Sequence, residues 1–130
     1  MKFYIASRLD NHAQVRHLAE LLMRCGWEWT FDWTAHVEVG AVDCDVLRSI
    51  GQRECEGVAR ADIVVVLSPQ GRGVHVELGM AIALGKAVYI CHEDDRYFRV
   101  DGDSSAFYWV DGVRRFVGGV EELAEHLRVL

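Results

Sequence analysis

The chain has 130 residues, 51% of them hydrophobic and 26% charged, with 12 Gly and a single Pro. That length fits one domain over 1–130, since domains cluster at roughly 100–150 residues, and it buries a core without disulfides or a structural metal. Lys+Arg 14 against Asp+Glu 20 leaves a net charge of −6, which disfavours a nucleic acid polymer as partner. No apolar run approaches the ~20 residues of a membrane span, so no membrane partner is expected, and Met1-Lys2-Phe3 leads into a strand rather than a signal peptide.

The elements alternate along the chain. Phe3–Ala6 reads as a short apolar strand. Asn11–Cys25 carries Val15, Leu18 and Leu22 at helical spacing, with Asp10 or Asn11 as N-cap and Gly26 as the stop. Trp27–Trp33 alternates aromatic and polar residues and predicts a second strand. Val42–Arg60 predicts a longer, more polar helix. Ile63–Leu67 is a continuous β-branched run, the pattern of a strand buried on both faces of a parallel sheet. Ser68–Gly73 is a loop, Val74–Leu84 a helix stopped by Gly85, and Ala87–Cys91 a fourth strand. His92–Ser105 is polar and turn-rich, a long loop expected to be the most mobile part. Phe107–Phe116 holds one or two short strands around Asp111-Gly112, and Val120–Val129 is a closing amphipathic helix. This alternation predicts an α/β fold: a single doubly wound, Rossmann- or flavodoxin-like parallel sheet of about five strands with helices on both faces. In such sheets ligands sit beyond the carboxyl ends of the strands, so the loops starting at Ser7, Ser68 and His92 are the places to look.

The four cysteines form no CxxC pair and match no zinc spacing; they predict free thiols in a reducing cytoplasm, with Cys25 and Cys91 as buried filler. The histidines are dispersed, and Asp94, Asp95, Asp101 and Asp103 lack the spacing of a calcium loop. Neither a metal nor a cofactor is expected.

The most informative stretch runs from Gly71 to Lys86. A loop with two glycines enters a helix that is apolar nearly all round, which predicts burial in the domain or in a subunit interface. Gly79 and Ala83, four apart, would let another helix approach closely. Glu77 is the only acid in this helix, flanked by Val76, Leu78, Met80 and Ala81. Burying a carboxylate is costly, so it needs a reason: either the helix dipole favours it, or it performs chemistry. The loop lacks the Lys-Ser/Thr ending of a triphosphate loop and the third glycine of a dinucleotide fingerprint, so Gly71 and Gly73 more simply let a small ligand approach the backbone.

Residues 71–86 read GRGVHVELGMAIALGK, directly after the strand ADIVVVL. With the opening Lys2-Phe3-Tyr4-Ile5-Ala6-Ser7-Arg8, the triplet Asp32-Trp33-Thr34, the run Arg53-Glu54-Cys55-Glu56-Gly57-Val58 and the late Ser105-Ala106-Phe107-Tyr108, this order resembles the nucleoside 2-deoxyribosyltransferases and the related nucleoside monophosphate N-glycosidases. The HVELG block is the specific part; the other pieces are short.

The resemblance implies cleavage of the N-glycosidic bond of a (deoxy)nucleoside, with the sugar passed to another base through a covalent glycosyl-glutamate, as in a retaining glycosidase. Glu77 matches the family's nucleophile and Tyr4 the tyrosine that positions it. Glu54 matches an acid near the base, commonly Asp in the family; the extra methylene moves the carboxyl by about an ångström. A second family acid falls on Gly71 and is absent, so what protonates the base stays open, with His75 one candidate. Ser7 and Arg8 resemble the phosphate-binding loop of the monophosphate branch, and Arg72 suits an anion. Ser105 falls where transferases have an Asn supplied by the neighbouring subunit and the phosphate-binding branch has Ser. Asp32 and Trp33, with Gly71, Gly73 and His75, complete the expected substrate contacts, and Trp33 is placed to stack on a base. The expected partners are a nucleoside or nucleoside monophosphate, a free base and a second copy of the chain, in a homodimer or higher oligomer built on the Val74–Leu84 helix. Hydrolysis of a 5′-monophosphate is the alternative within this chemistry. A nucleotide sensor without turnover is the alternative outside it, and a flavodoxin-like electron carrier a distant third.

Overall fold

Five parallel strands form one sheet in the order β2-β1-β3-β4-β5. The computed structural model describes residues 1–36 and 43–130. The strands are β1 Lys2–Ala6, β2 Glu28–Trp29, β3 Ile63–Leu67, β4 Ala87–His92 and β5 Val113–Val117. The helices are α1 His12–Arg24, α2 Cys44–Arg60, α3 Arg72–Ala83 and α4 Val120–Arg128. Among the described residues no helix is long and apolar enough to cross a membrane.

All five residues of β3 are buried. It sits mid-sheet, with Tyr4 opposite Val64 on one side and Val64 opposite Val88 on the other, which is what its unbroken apolar run demands. From β1 the chain steps outward to β2 and then back across to β3, so the strand order reverses between β1 and β3. Right-handed crossovers then put the connections before and after that reversal on opposite faces. Accordingly α1 packs with α4, and α2 with α3. The cleft at a reversal point lies beyond the strands' carboxyl ends, here at Ala6 and Leu67.

The apolar stripe of α1 is Val15, Leu18, Ala19 and Leu22, all buried; each large side chain there contributes about 1.5–3 kcal/mol of burial. Asn11 is its N-cap but makes no capping bond; its amide donates instead to Ser7 Oγ at 2.9 Å. On α2 the cap is Asp43, whose carboxylate accepts from Val46 N at 2.9 Å. Val42, the expected start of that helix, lies outside the described residues.

Several expectations change. The second strand is only Glu28–Trp29, not Trp27–Trp33. Asp32 accepts from Thr34 N at 2.9 Å and also from the Thr34 hydroxyl; this turn diverts the chain into a 3₁₀ turn over Trp33–His36. Where one or two strands were expected over Phe107–Phe116, a 3₁₀ turn, Ala106–Tyr108, precedes the single strand β5. Cys25 is exposed; only Cys91 is buried, and burial pushes its thiol well up. Nor is α3 buried all round: Val74, Glu77, Leu78 and Ala81 face inward, whereas Val76 and the following Leu84 are 62% and 55% exposed.

Candidate active site

β1 alternates its side chains, so Tyr4 faces α2 and α3. Its ring packs closely against Gly57 of α2: a Cβ there would meet Tyr4 Cδ2 at 2.9 Å and Phe31 Cβ at 3.0 Å. Glycine at 57 is therefore what lets the tyrosine reach α3. There its hydroxyl donates a short hydrogen bond to Glu77 Oε2. Thr30 helps to hold this contact, its hydroxyl lying 2.8 Å from Gly57 O and 3.2 Å from Phe3 O.

Glu77 is 7% exposed. Its side chain leans back along α3 towards the amino end, as helical side chains do, and Oε1 comes to 4.0 Å from where a Cβ of Gly73 would stand. Among the described residues nothing hydrogen-bonds Oε1. Burial raises the Glu77 carboxyl to about 8; the Tyr4 bond pulls it down and the nearby Glu54 charge pushes it up. Burial outweighs the hydrogen bond because one donor replaces only part of a carboxylate's hydration. Tyr4 is driven up by its own burial and then by the Glu77 charge, so it stays a protonated donor. Burial also raises Glu54 above the ordinary carboxylate range.

Glu77 and Glu54 open onto one cleft of about 700 Å³. It also gathers Ser7, Arg8, Trp33, Gly71, Arg72 and Gly73. Sequence reasoning missed six of its lining residues, Leu9, Asp10, Leu47, Ile50, Gly51 and Val74; the three on α2 show no signal beyond that helix's weak periodicity. Arg8 pairs with Asp10 at 3.2 Å and stays half exposed. Its stem lies over Gly71, where a Cβ would stand 3.2 Å from Arg8 Cγ and where φ is +95°, so both space and conformation favour glycine. Arg72 is exposed and has no polar partner among the described residues. Trp33 is spent on structure in part, its indole donating to Ile5 O at 2.7 Å, while its ring borders the cleft.

These elements match a known pattern in order. The sequence matches the family model of Nucleoside 2-deoxyribosyltransferase over residues 3–121. The chain belongs to the nucleoside 2-deoxyribosyltransferase family. Among curated proteins none matches it in sequence. Two similar solved structures are a CMP N-glycosidase, BcmB, of Clostridium botulinum, and a 2-deoxyribosyltransferase from the psychrotolerant Bacillus psychrosaccharolyticus. The first has a TM-score of 0.68 at 16% identity, covering 99% of this chain and 98% of that one. The second has a TM-score of 0.67 at 18% identity, covering 95% and 90%. A conserved protein of Enterococcus faecalis V583 has a TM-score of 0.56 at 20% identity, covering 99% and 98%. The protein is thus an enzyme of the deoxyribosyltransferase and N-glycosidase kind, on the five-stranded fold these structures share.

Within this family member, three expected contacts stand outside the cleft and one inside it is already committed. Asp32 is used by Thr34. His75 points away, its Nδ1 2.8 Å from Gly71 O and its Nε2 2.8 Å from Tyr108 OH; with both ring nitrogens engaged, it is not aimed at a leaving base. Ser105 caps the Ala106–Tyr108 turn and does not line its own chain's cleft. Ser7 does line it, but its hydroxyl donates to Leu67 O at 2.5 Å and accepts from Asn11. Having one proton, it has none left for an anion.

Proposed function

We propose that Glu77 is the nucleophile of a two-step N-glycosidic transfer. The observation that carries this is the buried Tyr4–Glu77 pair, which ties down one carboxylate oxygen and leaves the other at the cleft. A poorly solvated carboxylate is the better nucleophile, and its held oxygen fixes the direction of attack. In the first step a lone pair of Glu77 Oε1 forms a bond to the anomeric carbon as the C–N bond breaks. The bonding pair leaves with the base nitrogen, which takes the proton of Glu54. In the second step an incoming base, or water, attacks the same carbon; the C–O bond to Glu77 breaks and the incoming group's proton returns to Glu54. Burial raises Glu54 and so favours its protonated form, and with His75 and Gly71 set aside it is the acid best placed for the task.

The substrate is a (deoxy)nucleoside or its 5′-monophosphate. Arg72, unpartnered among the described residues, and Arg8 beside it favour the monophosphate as a second reading; the committed Ser7 hydroxyl weighs against a phosphate loop of the expected form. The exposed apolar residues Val76 and Leu84 on α3, with Phe107 62% exposed beyond it, support a homodimer on that helix, with Ser105 of one copy completing the partner's site.

The test is incubation with a panel of nucleosides and monophosphates, with and without an acceptor base. Exchange of the base, lost in Glu77→Ala, supports transfer. Release without exchange means a hydrolase, and a glycosylated Glu77 peptide by mass spectrometry establishes the intermediate. Binding with no turnover on any substrate overturns the proposal.

A further inference from the structure

The β3–α3 loop forms one wall of the cleft; backbone bonds hold its start, Ser68 N donating to Cys91 O and Gln70 N to Ser68 O, each at 2.8 Å, and side chains tie the rest. Ser68 stands at φ +63° and Gly71 at φ +95°, both in the left-handed region, so residues 68–71 do not extend the strand. Each is tied individually. Ser68 Oγ lies 2.9 Å from His92 Nδ1, and Gln70 Nε2 donates to Tyr97 OH at 2.5 Å. Gly71 is held from α3 itself, through His75.

The chemistry of that last contact settles where the protons are. A carbonyl only accepts, so His75 Nδ1, 2.8 Å from Gly71 O, carries the ring proton. Nε2 of a neutral ring is then an acceptor, and Tyr108, 2.8 Å away, donates to it. The two rings stack with centroids 5.9 Å apart, and Tyr108 is 3% exposed. Tyr108 sits at the end of the turn that Ser105 caps.

We propose that Tyr108 and His75 are positioning residues. The relay from Tyr108 through His75 to the Gly71 carbonyl sets the β3–α3 loop, and with it Gly73 beneath Glu77 and Arg72 at the ligand. The same relay ties the turn bearing Ser105 to the nucleophile's own helix. Its kinetic consequence rests on the proposed role of Glu77; its proton arrangement does not.

Two measurements on the full-length protein separate these. Long-range proton–nitrogen NMR correlations report the tautomer of each histidine. The His75 ring, assigned by its loss in His75→Gln, is expected in the Nδ1–H form in the wild type, shifting towards Nε2–H in Tyr108→Phe. An Nε2–H ring in the wild type overturns the relay. In steady-state kinetics Tyr108→Phe is expected to raise KM about five- to tenfold, the loss of one hydrogen bond, with kcat within about twofold. His75→Gln, which keeps an amide donor, is expected to fall between wild type and His75→Ala. A Tyr108→Phe protein with a lowered Tm and unchanged KM overturns the positioning role. Absence of wild-type turnover overturns the functional reading instead, and the tautomer then still decides the relay.

Discussion

Two carboxylates near the carboxyl edge of the sheet are shifted in opposite directions. Glu77 is walled in by α2, α3 and β1, and burial lifts it to about 8 despite the Tyr4 bond. Asp94 stands in the loop after β4, where the Arg96 side chain holds it below the usual carboxylate range through contacts of 3.1 Å. Both have a strong donor. The difference is water: exposed, Asp94 keeps its hydration and gains a cation, whereas Glu77 has lost hydration that one phenol does not replace. A perturbed carboxylate marks chemistry when desolvation drives it, and only a surface pair when a neighbouring cation does.

Removing the buried member of the comparison has the largest expected effect. Glu77→Ala lowers kcat/KM by at least ~10³-fold, measured as base release, since the nucleophile itself is gone. Tyr4→Phe removes the donor to a charged group and lowers kcat/KM about 10- to 100-fold. Gly57→Ala is expected to approach that loss from a distance: its methyl meets the Tyr4 ring at 2.9 Å. Such overpacking costs about 1–3 kcal/mol, readable by denaturant unfolding, and activity should fall with it.

Attack needs ionised Glu77, so kcat/KM rises with pH through about 8. In Glu54→Gln base release is expected to slow across the whole pH range for want of the acid. For stability the sign is the reverse. The folded protein holds the Glu77 proton more tightly than the unfolded chain, whose carboxyl is near 4.5. Stability from this group is therefore lost as pH rises from about 4.5 to about 8, and Glu77→Gln flattens that decline in a Tm series. The smallest effect is on the exposed side: Asp94→Asn leaves Tm and kcat/KM unchanged within error, because its pair with Arg96 lies open to water. A clear loss of activity in that variant would break the contrast.

Strand and helix order was legible because it depends on local patterns. The run 63–67 reads as a buried strand from composition alone, and Glu77 stands out as the lone acid of an apolar helix. The edge strand β2 was overestimated because the Asp32–Thr34 turn, which ends it, is itself a polar alternation. Tyr4 and Glu54 became candidates only through the family resemblance, since an aromatic in a strand and an acid in a polar helix carry no signal of their own. Gly57 gave none either: its meaning lies in the ring of a residue 53 positions away in the chain.

By itself the sequence determined a small acidic α/β chain and the position of its buried carboxylate, because burial patterns and helix breaks are written residue by residue. Tertiary structure alone decided which donors are free. Ser7 and Arg72 look alike as anion ligands in the sequence, yet the Ser7 proton goes to Leu67 O while Arg72 stays unpaired among the described residues. His75, beside the nucleophile in sequence, turns to Tyr108 instead. A side chain's hydrogen-bonding capacity is finite, and what has already claimed it depends on neighbours that only the folded chain brings within 3 Å.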